Sequence, residues 1–104
     1  MMRPSKWEVW FAKVAFDDDP TKIKERPVLV MDDRNCYILS FKITSHAPRL
    51  NFSGEYSLVK WSEAGLLKPS TVRTLKRLKL IETDFVHKIG RLHPVDILGI
   101  MNIL

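Results

Sequence analysis

Cysteine is all but absent from this chain: Cys36 stands alone among 104 residues. A single thiol excludes an internal disulfide and any thiolate-based metal cluster. Its neighbours Tyr37, Ile38 and Leu39 mark it as a packing residue rather than a nucleophile. Glycine is also scarce, with four copies, and none of them forms a phosphate-cradling loop. No apolar run is long enough to span a bilayer, so no membrane partner is expected. The opening Met1-Met2-Arg3-Pro4-Ser5-Lys6 leads into a patterned segment, not the unbroken apolar stretch of a secretory leader. The expected compartment is therefore the cytoplasm. The run Asp17-Asp18-Asp19 lacks the spaced ligands and central glycine of a calcium loop and reads as a flexible acidic turn. No cofactor and no metal is expected.

What remains is a small, basic chain of globular composition. Apolar residues make up 45% and charged residues 28%, the balance of a folded protein. The length suits one domain, residues 1–104, with little core to spare; pairing with a second copy would relieve that shortage. Lys and Arg number 17 against 12 Asp and Glu, a net charge of +5. Such an excess favours nucleic acid or an acidic protein segment as partner, through the long-range field it sets up.

The patterning is mainly that of strands. Trp7, Val9 and Phe11 alternate with Glu8 and Trp10, and Val14 and Phe16 with Lys13 and Ala15; the phase slips near Ala12, where a bulge is expected. Residues 17–26 are polar and interrupted by Pro20, hence a loop. Pro27-Val28-Leu29-Val30-Met31 predicts a central strand, Asp32-Asp33-Arg34-Asn35 a turn, and residues 36–44 a third strand, together a meander. A second loop spans residues 45–54. Trp61-Ser62-Glu63-Ala64-Gly65 suits one helical turn closed by glycine. Residues 72–80 alternate apolar and basic in a way that fits strand or helix, with strand preferred. His93-Pro94-Val95-Asp96 predicts a helix start. The helix that follows is apolar nearly all round and so needs cover on most sides, from the sheet and a partner. Trp7, Trp10 and Trp61 are mostly core candidates, and His87 and His93 structural ones.

Several segments, in order, resemble the MazF/PemK toxins of toxin–antitoxin pairs. These are Val9-Trp10-Phe11-Ala12, then a charged loop closing on Arg26-Pro27-Val28-Leu29-Val30, then Lys42-Ile43-Thr44-Ser45. Gly65 to Thr74 follows, and Ile89-Gly90-Arg91-Leu92 leads into the terminal helix. The resemblance implies a mainly β fold, an SH3-like barrel of antiparallel strands with a C-terminal helix, assembled as a homodimer. It also implies an endoribonuclease that cuts single-stranded RNA without a metal and is restrained by a cognate antitoxin. The alternatives are a non-enzymatic toxin of the same barrel family, like CcdB, which binds DNA gyrase, and a generic SH3-like binding module for nucleic acid or peptide.

Metal-free RNA cleavage turns the substrate's own 2′-hydroxyl on the adjacent phosphorus. The enzyme takes one proton, gives another, and stabilises charge on the phosphoryl oxygens. On the resemblance, Arg26 stands where the family carries its essential arginine, a rigid fork of donors suited to phosphate. Thr44 matches the family's strand-end threonine, whose hydroxyl can donate to a phosphate oxygen. Ser45 can share that bond. His46, two residues from Thr44 and on its face if the strand continues, is a candidate general base or acid. Lys68 and Ser70 fall where some relatives place a catalytic Arg and Asp, a departure that removes a carboxylate base at that point. Lys68, Ser70, Arg49 and Arg73 are left as candidate RNA contacts.

Overall fold

The computed structural model describes residues 3–15, 21–34, 37–49 and 53–104. The roles expected of Cys36 and of Asp17-Asp18-Asp19 fall outside them. Six strands, β1 (Glu8–Ala15), β2 (Ile23–Asp33), β3 (Ile38–Thr44), β4 (Glu55–Ser57), β5 (Thr71–Leu80) and β6 (Phe85–Arg91), precede one helix, α1 (Pro94–Ile103). They form one antiparallel sheet in the order β4-β5-β3-β2-β1-β6. The predicted meander is β1-β2-β3, and the ambiguous basic segment is the strand β5. The bulge expected near Ala12 is present, as a register shift against β6 between Phe11 and Ala12.

The connection from β5 to β6 makes this sheet curl. Those strands lie four positions apart, which in a flat sheet is about 19 Å. Leu80 and Phe85 are joined by only five Cα steps, at most about 18 Å fully extended, and Glu82–Asp84 in that link are wound into a 3₁₀ turn. The sheet therefore bends its edges toward each other in a barrel-like form. On one face, Trp10, Ala12, Val14, Val28, Val30, Ile38, Leu80 and Phe85 pack together, with Trp10 and Phe85 edge to face at 5.8 Å. Strand alternation sends Val9, Leu29, Phe41, Ile43 and Val72 to the opposite face, where Leu58, Ala64 and Ile100 cover them.

Two expectations are corrected. Residues 23–26 are strand, not loop: Ile23 to Arg26 pair with Ala15 to Ala12, and the ladder outweighs their polar composition. Asp32 and Asp33, expected in a turn, also belong to β2 and pair with Leu39 and Ile38. The chain itself covers α1 only in part. Only Asp96 and Ile100 are buried, while Leu98, Met101 and Leu104 are more than half exposed. What seats α1 is a carboxylate. Asp96 is fully buried and accepts hydrogen bonds from Tyr56 Oη at 2.8 Å, Val59 N at 2.9 Å and Lys60 N at 2.8 Å. Burial, then Asp96, pushes the Tyr56 phenol up to about 12. His93 caps the helix, its Nδ1 accepting from Val95 N at 3.1 Å. No helix among the described residues is long and apolar enough to cross a membrane.

Carboxylates also pin the ends of strands β1, β2 and β4. Burial alone would raise the Glu8 carboxyl, but the Trp10 indole, the Ser5 amide and Lys88 outweigh it and hold it low. Asp33 is held low by the fork of Arg3, and Glu55 by Arg49 and then Arg73. A lowered folded pKa means that these groups contribute fully above the usual carboxylate range and lose that contribution as pH falls through their folded values. The urea midpoint should thus hold between pH 7 and about pH 5 and fall steadily below it. Glu8→Gln should shallow that fall. A midpoint flat down to about pH 3 would rule out these pairs as stabilising.

Candidate functional site

The ladder between β2 and β3 stops at Val28 and Lys42, although β2 extends back to Ile23 and β3 on to Thr44. Beyond that rung β2 keeps its partner β1 as far as Ile23 and Ala15. β3 likewise keeps β5 as far as Thr44 and Thr71. The sheet parts into a fork, and a cavity of about 490 Å³ fills it. Carried past the last rung, the register of this ladder sets Arg26 on one prong opposite Thr44 on the other.

Seven of the eight sequence-predicted site residues line this cavity: Arg26, Thr44, Ser45, His46, Lys68, Ser70 and Arg73. Arg26 is exposed, and among the described residues its guanidinium has no ion-pair or hydrogen-bond partner. Thr44 Oγ1 accepts from His46 N at 3.3 Å. Accepting leaves the hydroxyl its own proton to donate. Thr44 and His46 are neighbours as expected but through this turn, since β3 ends at Thr44. Thr71 Oγ1 anchors the turn by donating to His46 O at 2.7 Å.

The third wall, residues 65–70, is set by two glycines. Gly65 has φ +92° and its backbone packs on β6 so closely that a Cβ would lie 2.6 Å from Ile89 O. A Cβ on Gly90 would collide with the Ala64 carbonyl. The predicted turn of residues 61–65 is thereby pressed onto β6, and the chain leaving it delivers Leu66, Leu67, Lys68 and Ser70 to the cavity. Ser70 is buried, and its hydroxyl donates to Lys68 O at 2.9 Å, so it shapes the wall more than it offers a proton. Lys68 is exposed.

Arg49 is the predicted residue that the fold does not bring in. It is clamped on Glu55, with Nε at 2.9 Å and Nη2 at 2.6 Å from Oε2 and its amide 2.9 Å from Oε1. Arg73 shares that carboxylate, its Nε 3.5 Å away with the side chain 15% exposed. Sequence reasoning missed Lys42, Glu25 and Phe11, all of which line the cavity. Lys42 was findable: it lies two residues before Thr44 and so on the same strand face. Glu25 supplies the one carboxylate among the lining residues. A more open depression of about 660 Å³ lies elsewhere, against Lys6, Asp32, Asp33 and Arg77. Its charges are mixed in sign and Asp33 is already taken by Arg3, so it does not compete as an anion site.

No protein-family model and no curated protein matches this chain. The chemistry of the site therefore rests on its geometry. Arg26, Lys42, Lys68 and Arg73 surround one cavity with Glu25 as counter-charge, and Phe11, Ile43, Leu66 and Ile89 give it an apolar side. Cations beside an apolar and aromatic wall suit a ligand that is anionic along one edge and flat and apolar along the other, as a nucleotide strand is.

Proposed function

We propose that this chain is the toxin of a toxin–antitoxin pair, a metal-independent endoribonuclease on an SH3-like barrel of the MazF/PemK type. The observation that supports it best is the fork itself, with Arg26, unpaired among the described residues, facing a Thr44 hydroxyl across a cavity lined by further cations. Arg26 grips the scissile phosphate through two N–H donors and stabilises the charge that grows on its oxygens. Thr44 donates to a phosphoryl oxygen and fixes the reacting bond. His46 and Glu25 line the same cavity; in this reading one takes the 2′-hydroxyl proton and the other gives a proton to the leaving 5′-oxygen, so that the products are a 2′,3′-cyclic phosphate and a free 5′-hydroxyl.

The same reading makes the protein a homodimer that a cognate antitoxin silences, by laying an acidic segment along the basic fork in competition with RNA. The exposed apolar residues of α1 favour a protein partner in addition.

Incubation of the purified protein with mixed-sequence single-stranded RNA in EDTA tests the activity. Discrete fragments ending in 2′,3′-cyclic phosphate are expected. Intact RNA across varied sequences would sink the nuclease and leave a toxin that acts by binding protein, as CcdB binds gyrase.

A further inference from the structure

Lys42 sits at the crotch of the fork, on the last rung that joins β3 to β2. Its other neighbour across the sheet is Arg73, and like charges directly opposite on antiparallel strands repel. Arg73 has Glu55 on its far side, both as Cα partner and as an ion pair at 3.5 Å. Lys42 is half-buried, and among the described residues no carboxylate pairs with it. A cation held partly out of water against a second cation costs stability unless an anion joins them. Lys42 and Thr44 share a strand face and lie about 6.7 Å apart along it. That is the order of the separation of successive phosphates in an extended strand.

We propose that Lys42 holds the backbone phosphate next to the one gripped by Arg26 and Thr44, giving the cavity a second phosphate subsite. The inference rests on the nucleic-acid reading of the fork and extends it: the site takes a run of linkages rather than a single one. Because the contact is made equally in ground and transition states, Lys42 governs KM and not kcat.

The test uses Lys42→Met, which keeps the aliphatic stem, and Lys42→Arg, which keeps the charge. Binding of a 2′-O-methyl oligoribonucleotide of mixed sequence, which cannot be cut, is followed by fluorescence anisotropy over a salt series. Lys42→Met should weaken binding about 10-fold and lower the slope of log affinity against log salt by about 0.7. Lys42→Arg should retain both. On cleavable RNA, Lys42→Met should raise KM by a like factor and leave kcat within about twofold. An unchanged salt slope, or a loss confined to kcat, overturns the subsite even if the wild type cuts RNA. Charge-dependent binding without any cutting sinks the nuclease and leaves the subsite standing. Absence of binding by the wild type overturns both.

Discussion

Arg26→Ala should reduce metal-free RNA cleavage about 10³-fold, the scale of losing a transition-state donor, while shifting unfolding free energy by less than about 0.5 kcal/mol. The two halves of that expectation have separate physical origins. Arg26 is on a strand, paired with Ala12, so its backbone is held whatever side chain it carries. Its guanidinium is exposed and partnerless among the described residues, so removing it breaks nothing in the fold. In the cavity it is the cation facing Thr44 across the fork, and the other guanidinium there, that of Arg73, is engaged with Glu55. Arg26→Lys should recover little, because a point charge does not reproduce the fork. Retained cleavage in Arg26→Ala, measured in EDTA with a folding control by circular dichroism, would remove Arg26 from the site.

Asp96→Ala is the substitution with the largest expected effect on stability. The carboxylate is fully buried and satisfies the Val59 and Lys60 amides and the Tyr56 hydroxyl at 2.8 to 2.9 Å. Alanine leaves those donors in a space where water is scarce, at a cost of about 1–3 kcal/mol for each one stranded. Partial relaxation should bring the net loss to about 3–4 kcal/mol. For a domain of this size that lowers the melting temperature by roughly 12–25 °C. The Tyr56 phenol, pushed up to about 12 by burial and then by Asp96, should ionise at lower pH in the variant. Gly99 sharpens the dependence, since Tyr56 packs where a Cβ on that glycine would sit; the helix cannot slide to recover its contacts. A melting shift of only a few degrees would show that α1 is seated by its apolar residues instead.

The two sites differ in how visible they were in the sequence. Asp96 was legible as the acid of a helix first turn, because capping chemistry is local and the His93-Pro94 start carries it. That the same carboxylate fastens the helix to β4 and the segment after it, more than thirty residues earlier, was not legible, since no local rule links residue 96 to residues 56, 59 and 60. Arg26 was read as a loop-end residue because its neighbours are polar. Its place on a strand is fixed by the pairing of β2 with β1, where it lies opposite Ala12, and such a ladder leaves no mark on composition. Lys42 hid inside the strand pattern of Cys36 to Thr44, where an alternating lysine looks like ordinary solvent-facing filler.

The sequence by itself determined that this is a mainly β chain with a helix at its end, since strand alternation and helix capping are properties of short stretches. It determined too that a single thiol excludes an internal disulfide and a thiolate-based metal cluster. Only the tertiary structure decided where the candidate site residues meet. The parting of β2 from β3 and the close packing of residues 64 and 65 on Ile89 and Gly90 bring β1, β2, β3, β5, β6 and residues 65–70 to one cavity. The same packing sends Arg49 to Glu55 and away from it. The fork and the glycine packing join residues far apart in the chain, and proximity of that kind is settled by packing and hydrogen bonding in three dimensions rather than by any pattern along one.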